Sequence, residues 1–347
     1  MRVDLRHGDS HAVFDTEDGN IPVWTVGGRT PLHVAPWRDE EEVQNDPDIA
    51  QVDKRLAGDF FCMPFGKDDL HGQPLHGPTA NSPWSVMQQE PSRGLFTNTL
   101  PKMSGAVVAK EIRLVGESLL QRHVIDKGWG EVTFAHHPMV HMAEGGRLSF
   151  SQKRAVMTDP QPQHEGHNLW ALNQLRGDLY LDREDGGQWD LRTYPAGHVV
   201  EDFCTLVESR ENTLGWTCVM RNAEDDMVLI LKDPLMMPVT MLWISNGARD
   251  FPPWNSRHTG VLGVEDGRAF GGQGLAAACA ENALTAMDVP TTLSLGEVQV
   301  IRHAMVSLPR PPGWSELQAV TLSKGTLRLR EVSGAEISVP FPEGHFD

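Results

Sequence analysis

The sequence contains no apolar run of membrane-spanning length, and Met1–Ser10 is largely polar, so neither a transmembrane helix nor a charged-then-apolar leader is expected. On this reading the protein is cytoplasmic. Basic residues are scarce too: 30 Lys and Arg against 47 Asp and Glu give a formal net charge of −17, and no cluster of Lys and Arg reverses it locally. Such a surface repels phosphate backbones, which argues against a nucleic-acid partner. Cys62, Cys204, Cys218 and Cys279 are widely spaced, form no Cys-x-x-Cys and lie mostly in apolar stretches, so reduced structural thiols are expected. There is no His-Glu-x-x-His and no Cys or His at structural-zinc spacing. The close pairs His137 with His141 and His164 with His167 lie at a strand end and in a Gln-Pro-rich loop, and no metal is expected.

Helix periodicity is rare as well. Short apolar runs separated by turn residues begin at once, at Ala12–Phe14, Ile21–Val26 and Leu32–Trp37. Arg38–Asp53 interrupts them with an acidic cluster, read as a solvated loop or short exposed helix. Asp59–Phe65 resumes the pattern, and Gly105–Val115 with Ser118–Ile125 predicts a hairpin over a tight Gly-Glu connection. Leu148–Thr158 alternates, and the segments from Leu179 to Leu231 predict a long meander. Leu275–Met287 is the one good helix candidate, ending before Pro290. Thr291–Met305 and Ala319–Val339 return to strand and turn. So many strands without crossover helices require sheets packed face to face, so the expected fold is all-β: a large antiparallel β-sandwich with one or two short helices. No internal repeat is visible. We expect a single domain over residues 1–347, with 309–347 a C-terminal β extension after Pro309–Gly313.

The stretch Trp243–Phe270 concentrates polar chemistry. Val239–Ile244 and Val261–Val264 read as buried strands, and the second delivers Glu265 at its end. The loop between them carries Arg249, Asp250, Trp254, Asn255, Arg257 and His258, although such a loop can equally be a surface connection stiffened by Pro252 and Pro253. Elsewhere, His71-Gly72 and His76-Gly77 leave backbone room for close approach. His137 ends a strand, and the following Pro138 removes a ladder donor. His123 and His303 read as structural.

The order of these elements resembles the galactose mutarotase (aldose 1-epimerase) superfamily. The matching residues are Pro64-Phe65-Gly66, His76-Gly77 with Trp84 downstream, His137-Pro138, Leu242-Trp243, and the strand delivering Glu265. Ala280–Leu284 and Pro290–Leu295 follow. The resemblance spans roughly residues 55 to 306 and implies a sandwich whose concave sheet face binds a monosaccharide. It implies Glu265 as general base, His137 as general acid and His76 as a sugar-binding or transition-state-stabilising histidine. Three departures stand out. Met139 and Val140 follow His-Pro where members often place an aromatic. Lys67 follows Pro-Phe-Gly where an arginine is common. The aspartate with which some members hold the sugar has no clear counterpart, Asp250 being a candidate.

Aldose mutarotation removes the proton from the anomeric hydroxyl and protonates the ring oxygen, so that the ring opens and recloses as the other anomer. A carboxylate and an imidazole suffice, each transfer contributing about 10²–10⁴-fold, and no cofactor is needed. Glu265 is expected to be kept ionised by Arg257 or His258, and His137 to be kept protonated by that carboxylate. Trp84, Trp243 and Trp254 can stack on the C–H face of a pyranose, with core packing the plainer role for Trp84 and Trp243. Arg249, Arg257 or Lys67 would meet a phosphate if the sugar carries one. The expected partner is a hexose or sugar phosphate, and a homodimer through an exposed sheet edge is left open. The alternative is a carbohydrate-binding protein on the same fold that does no chemistry, which the departures at Lys67 and Met139 favour.

Overall fold

Residues one apart on a strand face opposite ways, so a strand buried throughout must be covered on both sides. Val200–Glu208, Gly215–Arg221 and Asp226–Lys232 are buried at every position, and Val239–Asn246 and Val261–Arg268 at all but the last. A computed structural model describing all residues, Met1–Asp347, shows what covers them.

Two large antiparallel sheets are stacked. The larger, 11-stranded sheet runs in the order Arg2–His7, Ser10–Asp15, Asn20–Val26, Asp59–Cys62, Phe134–His136, Val261–Arg268, Val239–Asn246, Val200–Glu208, Lys153–Thr158, Leu175–Arg176. Met139–His141 also pairs with Val261–Arg268. The 8-stranded sheet runs Gly146–Phe150, Gly215–Arg221, Asp226–Lys232, Gln299–Pro309, Ser118–Asp126, Ala106–Val115, Arg93–Leu100, Ser85–Glu90. The main apolar cluster, with Phe14, Phe61, Phe134, Leu242 and Val264 meeting Phe96, Ile112, Val228 and Met305, lies between them. The far face of the smaller sheet is covered by a third sheet, Leu317–Ser323, Thr326–Glu331 and Glu336–Pro340, packed through Leu327, Leu329 and Phe341. The far face of the larger sheet is covered instead by loops and short helices, which bring Trp37, Val52, Leu56 and Trp254 onto Phe60, Phe203 and Trp243. No helix is long and apolar enough to cross a membrane.

The expected hairpin forms, pairing Ala106–Val115 with Ser118–Asp126. Other expectations need correction. Leu148–Thr158 is broken at Ser151-Gln152, and its halves join different sheets; the meander is likewise divided, Val200–Glu208 going to one sheet and the next two strands to the other. Alternation reports which side chains are buried, not which sheet a strand enters. Leu32 and Val34 make only isolated bridges. Arg38–Asp53 holds two short helices, Glu41–Asn45 and Gln51–Lys54, and is not merely solvated, since Arg38, Val43 and Val52 are buried. The expected helix stops at Cys279. Asn282 then accepts the backbone N–H groups of Leu284 and Thr285, starting a separate turn at Thr285–Met287. An Asn side chain competing for backbone donors ends a helix in this way.

Candidate active site

The site is built where the larger sheet's ladder is interrupted. Val261–Arg268 pairs with Val239–Asn246 on one side; on the other it pairs first with Met139–His141 and then with Phe134–His136. The gap between the two short strands is His137-Pro138. Pro138 has no N–H, though its carbonyl accepts from Val264 at 3.0 Å. The chain kinks there, and His137 is left beside Glu265, with Nε2 3.1 Å from Oε1. Glu265 does not end its strand, which continues three residues to Arg268. Gly263 precedes it on the same face, where a Cβ would lie 3.0 Å from Glu265 Oε1 and 3.1 Å from Trp243 Cβ. The bare backbone makes room for both side chains.

The pair forms part of the lining of a cleft of about 190 Å³ on the far face of the larger sheet. Sites for drug-sized ligands run to about 300–1,000 Å³, so this cleft suits one small molecule. Phe60, Phe65, Phe203, Trp243 and Trp254 supply apolar wall, and His76, Asp53, Lys67, Arg249 and Gln163 supply polar groups. A wider, open groove of about 510 Å³ against the third sheet, around Trp216 and Lys324, holds no histidine.

Burial sets the charge states. Glu265 is buried with no cation beside it, which pushes its carboxyl well above the ordinary range. Burial pulls His137 down to about 4, against a smaller upward pull from Asp59. The expectation that Arg257 or His258 keeps Glu265 ionised is not met. Arg257 grips Glu40 at 2.5 and 2.9 Å over the Trp37 ring, and His258 Nδ1 bonds Ser245 Oγ at 2.8 Å behind Trp243. Without a carboxylate charge beside it, His137 is not held protonated either. The unligated pair is therefore a neutral acid against a neutral imidazole.

His76 stands edge-on to His137, ring centroids 5.4 Å apart. Its backbone is left-handed, and the next residue must be glycine, because a Cβ at Gly77 would lie 2.0 Å from Met63 O. Nδ1 accepts the Gly66 N–H at 3.3 Å, which leaves Nε2–H as the ring's donor, and burial keeps the ring neutral. The parallel His71-Gly72 pair does something else: His71 Nδ1 meets Asp68 at 3.1 Å. Arg249 lies over Trp254, 4.3 Å from the ring centroid, and reaches Glu201 at 2.8 Å; Lys67 is exposed at the mouth.

Four of the sequence-derived candidates lie outside the cleft lining. Trp84 is core, bonded through Nε1 to Thr79 O at 3.0 Å and set edge-on to Phe14. Asp250 is exposed. Arg257 and His258 are occupied as described. Nor do the spaced histidines converge: His141 meets His33 at 3.3 Å, and His164 stacks on His167. The sequence reading missed Glu201, which accepts from Trp243 Nε1 at 2.6 Å and Ser245 Oγ at 2.8 Å, and Asp53, Phe60 and Phe203 in the wall. Glu201 had one usable signal, a carboxylate inside an otherwise apolar strand.

No family model and no curated protein matches the sequence. Solved structures do match. A presumed aldose 1-epimerase from Escherichia coli K12 superposes with a TM-score of 0.63 at 13% identity, covering 88% of this chain and 98% of its own. The fold is that of the galactose mutarotase-like proteins. The GalM/aldose epimerase homologue of C. elegans (TM-score 0.59, 12% identity, 90% and 99% covered) and a galactose mutarotase related enzyme from Lactobacillus acidophilus (0.58, 10%, 90% and 99%) share it. On this mutarotase-like scaffold the expected all-β sandwich is present, and the glutamate and histidine singled out in the sequence are in contact.

Proposed function

We propose that the protein is an aldose 1-epimerase-like isomerase acting on a monosaccharide. The observation that carries this reading is the 3.1 Å contact of Glu265 with His137 in a cleft sized for one sugar. The two oxygens that exchange protons in mutarotation, the anomeric hydroxyl and the ring oxygen, are bonded to one carbon. Acid and base must therefore stand a few ångströms apart on one side, not across the whole ring. With a closed ring bound, the shared proton resides on His137 and Glu265 is the carboxylate. Glu265 takes the hydroxyl proton, the bond from the anomeric carbon to the ring oxygen breaks, and His137 protonates that oxygen. Rotation about the neighbouring C–C bond and the reverse transfers give the other anomer. His76 Nε2–H donates to a sugar oxygen without changing charge, and the apolar wall of Phe65, Phe203 and Trp243 meets the sugar C–H groups. Arg249 is already paired with Glu201, which leaves Lys67 as the one lining Lys or Arg without a carboxylate partner and favours an uncharged sugar over a sugar phosphate.

NMR exchange between α and β anomers, with wild type and Glu265→Gln, tests this. The variant should lose at least about 10²-fold in rate, as expected when a general base is removed. Equal rates would take Glu265 out of the mechanism. The neutral state of the unligated pair favours a second reading, a sugar binder that does no chemistry. Such a protein would bind sugars in calorimetry while leaving anomer exchange at its uncatalysed rate.

A further inference from the structure

Beneath the cleft, between the two large sheets, runs a row of buried polar groups that the proposed reaction does not use. Lys153 and Ser151 donate to Glu208, the latter at 2.8 Å. Lys232 bridges Glu208 at 3.2 Å and Asp266 at 2.8 Å. His303 Nε2 lies 3.4 Å from the other Asp266 oxygen, His136 stacks on His303 with centroids 4.0 Å apart, and His136 Nδ1 is 3.5 Å from Asp59 Oδ2. Asp59 accepts from Gln121, and its Oδ1 accepts the backbone N–H of His137 at 3.0 Å, shared with Phe60 O at 2.9 Å. The row thus passes through Asp266, the residue after Glu265, and ends on the amide of His137.

Taking each ion out of water costs several kcal/mol, and a well-packed apolar replacement is often as stable or more so, so stability alone does not account for such a row. A metal does not account for it either. Ligand atoms of Asp59, His136 and His303 lie within 4.8 Å of one another, but the two rings are stacked only 10° from parallel. Their in-plane lone pairs run side by side and do not converge on one ion. Lys110, fully buried near Asp59, already supplies positive charge there.

We propose that Asp59 is a positioning residue for His137: from the opposite side of the sheet it fixes the backbone of His137 and places a buried anion there, favouring the protonated imidazole that ring opening requires. This rests on the isomerase reading of the site. Asp59 can serve because it stays ionised. Burial pushes its carboxyl up, but the approach of His136 as a neutral donor and the positive charge of Lys110 outweigh this and hold it well below the usual range. His136 itself is kept neutral by burial, at about 3. Around Asp59 stand Gln121, His136, His303, Lys110 and Cys62. On the cleft side, His137 is faced by Glu265, His76 and Trp243, with His258 behind Trp243, and none of these is charged in the unligated state.

The experiment follows the ¹⁵N imidazole resonances of His137 through a pH titration in wild type, Asp59→Asn and Lys110→Met, beside kcat and KM for anomer exchange. Asp59→Asn keeps the shape and an acceptor oxygen but removes the charge. The protonated fraction of His137 at a given pH should fall severalfold, as for loss of an anion on the far side of its own backbone. The maximal rate should fall in step, with KM little changed. Lys110→Met conserves volume, removes the competing cation and should raise the protonated fraction, so the coupling stays readable even if the Asp59 variant does not fold. A His137 titration that is unmoved in every folded variant overturns the proposal, whatever the activity. If the titration moves in both directions but the wild type does not catalyse exchange, the isomerase reading falls while the link from Asp59 to His137 stands.

Discussion

Lowering the pH from 7 to 5.5 should destabilise this protein, because its buried histidines outnumber the buried carboxyls that oppose them. Seven buried histidines, His33, His76, His123, His136, His137, His258 and His345, are held by burial below the ordinary imidazole value of 6.5, His33, His137 and His345 to about 4 and His136 to about 3, and the half-buried His141 is lowered as well. At pH 5.5 the seven are uncharged in the fold, whereas in the unfolded chain each is about nine-tenths protonated. The unfolded state binds more protons, so stability falls as pH drops through 6.5. Each histidine loses about 1.2 kcal/mol over this interval, roughly 8 to 9 kcal/mol for the seven. Six carboxyls raised by burial act in the opposite direction: Asp18, Asp53, Asp159, Glu201, Asp202 and Glu265. Burial raises Asp202 to about 7 and Glu265 well above its ordinary value, so the fold gains or keeps protons that the unfolded chain releases. Asp202 and Glu265 alone offset about 3 to 4 kcal/mol. The histidines exceed these two by about 5 kcal/mol, an upper bound on the net loss because Asp18, Asp53, Asp159 and Glu201 offset a further part.

Urea unfolding followed by the fluorescence of the 10 tryptophans, at pH 7, 6.25 and 5.5, reads this directly. Calorimetry in buffers of different ionisation enthalpy should find a net uptake of protons on unfolding at pH 5.5, at most about four. A urea midpoint that holds steady or rises as the pH falls would mean these imidazoles are solvated or charged in the fold, and would undo the description of the site as well.

Two further outcomes follow from local geometry. A Cβ at Gly267 would lie 2.0 Å from Phe134 O, so Gly267→Ala should force apart the strands that carry Glu265 and His137. It should cost about 1–3 kcal/mol or more in urea unfolding, the usual range for overpacking, with anomer exchange lost alongside. Trp84→Phe should cost about 1–3 kcal/mol by stranding the Thr79 carbonyl, and Asp250→Ala almost nothing; neither should alter sugar affinity in calorimetry.

The sheet pattern and the pair Glu265 and His137 were legible because both rest on short-range signals. Apolar runs set the strands, and a proline after His137 marked the broken ladder. The wall of the cleft was not legible. Val52, Asp53 and Leu56 come from a segment whose acidic neighbours, Asp39–Glu42, dominate its composition, and only the packing onto Phe60 and Trp243 reveals its inner face. Charge partners were hidden for the same reason. Arg257 lies eight residues before Glu265 in the chain yet pairs with Glu40, 217 positions away. Glu265 and Asp266 are adjacent and chemically alike, but alternation turns one to the cleft, where no cation waits, and the other to Lys232.

That difference fixes how the reaction should depend on pH. Asp266 is held ionised, because the attraction and hydrogen bonding of Lys232 and His303 outweigh the effect of burial. Glu265 has only His137, and between them the two share one proton, which the reaction needs on the imidazole at one stage and on the carboxyl at the next. They titrate as a unit. The unit fails when it gains a second proton, below the depressed range of His137, or loses its only one, above the raised range of Glu265. Between pH 6.25 and 8 the maximal rate of anomer exchange should therefore be level. A histidine acting as an independent acid with its ordinary value near 6.5 would instead lose about tenfold for each pH unit above it. A rate falling with that slope from pH 7 to 8 would show that acid and base titrate separately, and the one-proton pair would have to be abandoned.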